Sequence, residues 1–219
     1  MPPDPTGPQA GEAGAGPVLG LLSRGLEFWV RQQCQAIEQL EIQLEGSAWQ
    51  LMRGRLAGVI VQARGVRYQE LEFAEVHLRG EAMAVRMGKL LRQQVLELET
   101  PFRVQGTICF SGEGLNRSLA HPNWNWLADQ LAEDLLGIQP LASLNLQDDQ
   151  VVLQACSAGP KGEVVQRAAR LEAREGSVAV GGVEGEWSSR VPMDPGIRIE
   201  TARVGKGRLE LSGTATLVP

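Results

Sequence analysis

The stretch PVLGLLSRGLEFWVRQQCQAIEQLEIQLE, Pro17 to Glu45, changes hydrophobic period part-way along, and that change decides the fold class. In its first part Val18, Leu22, Leu26, Trp29, Val30 and Ile37 recur at three- and four-residue steps, with Arg24, Glu27, Arg31 and Gln35 between them. This spacing predicts an amphipathic helix from Val18 to Ile37. Pro17 fits its first turn, where a missing N–H costs nothing. Leu40, Ile42 and Leu44 then alternate with Glu41, Gln43 and Glu45, the period of a strand with one buried and one wet face. A helix followed directly by such a strand has its apolar stripe available to cover the sheet.

Downstream, Leu56 to Ala63 is apolar on both faces and bracketed by Gly54, Gly65 and Arg67, which predicts a central strand. Leu71 and Phe73 are followed by Val76 and Leu78, so the inward parity slips by one, and a bulge is expected near Ala74 or Glu75. Ala82 to Met87 is read as continuing the sheet, Gly88 to Val95 has no clear period, and Phe102 to Phe110 is a further strand. Ser111 offers a helix N-cap and Glu113 favours the helix dipole, so Gly114 to Leu119 reads as helix ended by His121-Pro122. Trp124, Leu127, Leu131 and Leu135 lie on one helical face opposite Asp129, Glu133 and Asp134, and Gly137 closes that helix. Hairpins are expected at Gln147 to Gln150, Glu175-Gly176 and Gly205-Lys206-Gly207. The expected class is α+β: a curved antiparallel sheet wrapped around an N-terminal amphipathic helix, with a short helical insertion and C-terminal antiparallel strands.

The segment from Met1 to Gly16 is Pro, Gly and Ala with only Asp4 and Glu12 charged, the composition of a disordered tail, leaving residues 17–219 as one domain. With 219 residues, 43% of them hydrophobic, the chain can build a sizeable core. A net charge of -5 argues against nucleic acid as a partner. Cys34, Cys109 and Cys156 are odd in number and far apart, which suits buried small hydrophobes in a reducing compartment. No Lys or Arg precedes Arg24, so no signal peptide is read, and Arg24, Glu27 and Arg31 interrupt the most apolar region, so no transmembrane segment is read. The expected location is cytoplasmic, peripheral to a membrane.

A search for chemistry returns structural explanations. His77 and His121 are too few and too isolated to form a metal site with the scattered carboxylates. Ser111-Gly112-Glu113-Gly114 resembles a nucleophile elbow only superficially, since no His and acid partners can be named. Gly205-Lys206-Gly207 is too short for a phosphate loop, and Asp148-Asp149 is a solvated turn tip. No catalytic residue, cofactor or metal is expected, and the chain is read as non-enzymatic. Charge is unevenly spread: Arg53, Arg55, Arg64 and Arg67 fall between Gly46 and Gln69 with no acid among them, whereas Ser111 to Gln150 carries six acids against one arginine. A basic edge of this kind attracts anionic headgroups by about 1 kcal/mol per basic residue.

Five segments carry a family resemblance: Leu26-Glu-Phe-Trp-Val-Arg-Gln-Gln33, Leu40-Glu-Ile-Gln-Leu44, Leu51-Met-Arg-Gly-Arg-Leu56, Val66-Arg-Tyr-Gln-Glu-Leu71 and Phe110-Ser-Gly-Glu-Gly-Leu-Asn-Arg-Ser-Leu119. The last is similar to an acidic-x-x-Leu-Asn-x-Ser-Leu segment of the LmeA-like phospholipid-binding family, and the whole resembles that family's short, cyanobacterial-type members. The resemblance implies a tubular lipid-binding fold with an apolar tunnel between helix and sheet, and a phospholipid or membrane surface as partner. On this reading Leu22, Leu26, Trp29, Ile60, Phe73, Val85 and Phe110 are expected to line the groove, and Arg53, Arg55, Arg64 and Arg67 to meet headgroups. An acyl chain of roughly sixteen carbons faces a cost on the order of 12 kcal/mol in water, at about 0.8 kcal/mol per methylene, and an apolar groove removes most of it. The alternative is a protein-interaction or assembly module with a packed core, docking through a sheet edge or the Trp124 to Leu136 helix face.

Overall fold

A computed structural model describes residues 15–47, 49–50, 53–86, 89, 99–156, 164–183 and 187–218. Helix α1 spans Ala15–Gln33 and strand β1 Ala36–Glu45. The helix therefore begins two residues before Pro17, inside the expected tail, and stops four short of Ile37; residues 1–14 lie outside the described set. Ile37 belongs to β1, opposite Val66. The Gln35 N–H donates to Arg67 O at 2.8 Å, so the neighbouring strand has already captured the chain before Ile37. A β-branched residue that fits both periods goes to the element offering a partner.

The first sheet is antiparallel, in the order β1, β3 (Gly58–Tyr68), β4 (Leu71–Gly80), β6 (Phe102–Ser111), β13 (Arg208–Leu217), β12 (Ile197–Gly205). The second, also antiparallel, runs β11 (Trp187–Arg190), β10 (Ser177–Gly182), β9 (Val164–Arg174), β8 (Gln150–Cys156), β7 (Leu141–Gln147). Between them in sequence come α2 (Gly112–Ala120) and α3 (Asn125–Leu136). The last hairpin does not join the second sheet. Its strand β13 returns to pair along the full length of β6, from Arg208 opposite Ser111 to Leu217 opposite Phe102. The result is a sheet-rich α+β fold.

Three expectations for the first sheet need correction. Gly65, read as a strand end, lies inside β3 with φ +57, and the strand continues through Arg67. Leu56, read into the central strand, and the stretch from Ala82 do not extend the sheet: β2 (Arg55–Leu56) and β5 (Met83–Ala84) form their own two-stranded ladder. The parity slip is real but needs no inserted residue, since Arg64 stands opposite Glu75 and Val66 opposite Phe73 with no register shift. The same slip occurs in three neighbours at once: Leu40 to Ile37, Ala63 to Val66 and Val76 to Phe73 all join one apolar cluster. The left-handed Gly65 sits in the middle strand at that level, where a side chain would collide with Glu38. The stretch from Gly88 to Val95 lies outside the described residues apart from Lys89.

Gly106 and Gly213 are directly opposite each other, and a Cβ on Gly106 would come within 2.1 Å of His77 O, one on Gly213 within 2.1 Å of Arg198 O. Two adjacent strands without side chains at one level let the flanking backbones approach closely there.

Apolar residues collect in two main clusters that share no buried member. The larger joins Phe110, Leu209 and Leu211 of the first sheet to Leu127, Leu131 and Leu135 of α3 and to Leu144, Leu153 and Val180 of the second sheet. The smaller lies beneath α1. Ser111 caps α2 by accepting from Gly114 N–H at 3.1 Å, and Gly137 ends α3 at φ +70, both as the sequence predicts.

Candidate functional site

Beneath α1, Leu22 and Leu26 project from the helix onto Val59 of β3, and Leu56, Met83 and Val85 close the cluster from the side. All six are buried, Leu22 completely. Trp29, Ile42, Leu44, Val61 and Phe102 pack around them. The alternation explains the face: Leu44 stands opposite Val59 and Ile42 opposite Val61, so these four residues share the face that packs under the helix. Among the described residues the compartment is covered by α1 and by the stretches around β2 and β5, which are held to each other by the β2–β5 ladder, by Val85 N–H donating to Gly54 O at 2.7 Å and by Glu99 N–H donating to Ala84 O at 3.0 Å.

Of the residues expected to line a groove, Leu22, Leu26, Trp29 and Val85 meet here. Phe73 and Phe110 do not: their rings are 4.8 Å apart at the edge of the larger core. Ile60 has the opposite parity and lines a shallow depression of about 420 Å³ on the outer face with His77, Arg79 and Thr107. An unbroken apolar run hides parity, which is why Ile60 could not be separated from Val59 and Val61 by sequence.

The four arginines are not gathered either. Arg53 and Arg55 sit in the connection between β1 and β3, Arg53 in a turn and Arg55 in β2 opposite Ala84. Arg64 stands opposite Glu75, and Arg67 opposite Glu72 near the other end. The length of β3, roughly 30 Å at about 3.3 Å per residue, separates the two ends. Carboxylates of β4 thus accompany the second pair, whereas residues 46–57 contain no acid.

Several neighbours of these residues carry no earlier assignment. Trp49 is 59% exposed, with the Arg53 guanidinium 4.2 Å from its ring centre. In α2, Ser118 is buried; its hydroxyl donates to Gly114 O at 2.8 Å and accepts from Glu72 N–H at 2.9 Å. Arg117 reaches the same residue through its side chain, 2.6 Å from Glu72 Oε2, and that hydrogen bond and charge hold its proton more tightly than usual. Only the partner strand, 45 residues away, reveals these roles. The helix face offered as a docking surface is spent internally, since Leu127, Leu131 and Leu135 are buried in the larger core.

Among the described residues no group of His, Cys, Asp and Glu is arranged to hold a metal ion. His121 Nε2 lies 3.8 Å from Glu70, and His77 lies on the outer face. No described helix is long and apolar enough to cross a membrane.

A family model described as LmeA-like phospholipid-binding matches residues 13–214, from the described start of α1 almost to the end of β13. The chain belongs to this family. Neither the curated proteins nor the solved structures compared with it give a match. In the LmeA-like frame, the segment Leu115-Asn-Arg-Ser-Leu119 is the part of α2 that ties β4 to the second sheet, through Ser118 and Glu72 on one side and Asn116 and Leu144 on the other.

Proposed function

We propose that this chain binds phospholipid without transforming it, and that the acyl part lies against the compartment between α1 and the inner face of β1 and β3. Family membership supports the lipid class. The observation that carries the location is the separateness of the smaller cluster, which shares no buried residue with the core that joins the two sheets. A helix and two-residue strands can lift from a sheet without breaking that core. Leu22, Leu26, Trp29 and Val85 then exchange contacts with each other for contacts with methylenes, a nearly neutral transfer because both environments are apolar. Arg53 and Arg55 stand in the loop beside this compartment and supply headgroup contacts.

Titration with a fluorescent phospholipid tests the reading. Saturable uptake by the wild-type chain, lost in Leu26→Asp while the main unfolding transition persists, is expected. Equal uptake by Leu26→Asp places the lipid elsewhere, and no uptake by either protein removes the proposal.

A further inference from the structure

One end of the first sheet differs from the rest of the surface. The row Leu44, Val59, Gly80, Val104, Ala215 and Ile197 runs across all six strands by direct pairing or adjacent register. Toward this end lie the connection from β1 to β3, the last residues of β13 and the start of β12. Four of the exposed large apolar residues lie toward this end, Trp49 after β1 at one edge, and Ile197 on β12, Leu217 on β13 and Val218 after it at the other side. Its β1–β3 corner is basic, with Arg53 and Arg55 and no acid within residues 46–57. Glu45 and Glu99 near this corner are occupied by Arg79 at 2.8 Å and Arg86 at 3.9 Å. Glu81 and Asp194 stand further round the same end.

Trp49 is positioned rather than loose. Ser47 Oγ accepts from Gln50 N–H at 3.3 Å, Arg53 N–H donates to Gln50 O at 3.0 Å, and the Arg53 guanidinium stacks over the indole. An exposed indole beside a guanidinium matches the chemistry of a bilayer interface, where the amphipathic ring sits at headgroup depth and the cation meets phosphate. A protein partner would leave the acid-free loop unexplained. We propose that this end of the sheet docks on a bilayer carrying anionic phospholipid, with Trp49 inserted among headgroups and Arg53 and Arg55 against their phosphates. Docking rests on the lipid-binding reading above and places the cover of the α1 compartment at the membrane, because Gly54, which follows Arg53, is bonded to Val85 of that compartment.

Co-sedimentation of the full chain with vesicles of phosphatidylcholine alone, and of phosphatidylcholine mixed with phosphatidylglycerol, tests this. Binding is expected only to the mixed vesicles and is expected to weaken as salt is added. Arg55→Ala weakens it about five-fold, the effect of one basic residue near an anionic surface. Trp49→Ala weakens it about ten-fold, as expected for withdrawing an apolar side chain of this size. Arg203→Ala, exposed near the opposite end, leaves it unchanged. Circular dichroism of each variant checks folding, and uptake of a dispersed fluorescent phospholipid is measured in parallel. Wild-type vesicle binding by Trp49→Ala and Arg55→Ala, or equal binding to both vesicle types, overturns the docking surface even when uptake is intact. Docking that depends on Trp49 with no uptake upholds the surface and overturns the lipid-binding compartment instead.

Discussion

The side-chain amide of Asn116 pairs with both backbone groups of Leu144: Nδ2 donates to the carbonyl at 2.6 Å, and Oδ1 accepts from the N–H at 2.8 Å. Leu144 lies in β7, the edge strand of the second sheet, so the amide does for that edge what another strand would do. Its donor also reaches Gly112 O at 2.8 Å, anchoring the side chain to its own helix. One residue of α2 thus joins the edge of the second sheet to the helix that packs on β4.

Asn116→Ala leaves both groups of Leu144 without that partner and is expected to cost about 2 kcal/mol, measured by urea denaturation. Arg117→Ala, at an exposed neighbouring position, is expected to leave the midpoint nearly unchanged because its ion pair with Glu72 is solvated. Equal effects of the two changes would contradict this joining role of Asn116.

Gly106→Ala places a methyl group against His77 O and the Leu78 backbone, neither of which can turn aside. A loss of about 3 kcal/mol or a failure to fold is expected. Gly137→Ala meets no atom within 4 Å and suffers only from its positive φ, so about 1 kcal/mol is expected, and thermal unfolding of the two variants measures the difference.

Thiol labelling separates the three cysteines. Burial raises the pKa of Cys34, and burial followed by the charges of Glu210 and Glu75 raises that of Cys109, while Cys156 is exposed. A raised pKa means less thiolate at a given pH. At mildly alkaline pH Cys156 should react first, and the labelling of Cys109 should lag until the pH passes the ordinary thiol range. Glu210→Gln removes the larger of the two raising charges and should speed Cys109 labelling; an unchanged rate would contradict a contribution of the Glu210 charge.

Leu22→Ala tests how the α1 cluster contributes to stability. Because Leu22 is completely buried, truncation is expected to cost about 3 kcal/mol in lipid-free protein. Phospholipid that binds the native state should raise the unfolding temperature of the wild-type chain, and Leu26→Asp should lose that rise. A lipid-induced rise that survives Leu26→Asp would place binding away from α1.

Local signals in the sequence were read well because their causes are local. Ser111 caps its own helix, Gly137 is left-handed where α3 ends, and Leu40, Ile42 and Leu44 alternate as β1 requires. The β3–β4 turn was harder to see, since Gln69 and Glu70 both take positive φ without a glycine. Pairing over long distances left no mark: nothing near Arg208 says that β13 returns to β6, and nothing near Asn116 points to Leu144. For the site, helical period found Leu22 and Leu26, but the unbroken apolar run concealed that Ile60 faces outward. Nothing in the sequence singles out Trp49, because its exposure depends on how the chain after β1 returns through β2 to β5.

The central claim is that the compartment under α1 holds phospholipid, and mass spectrometry of an organic extract tests it most directly. Protein purified without detergent is expected to yield phospholipid that Leu26→Asp, prepared in parallel, does not carry. A lipid-free extract from folded wild-type protein that also takes up no added phospholipid would contradict it.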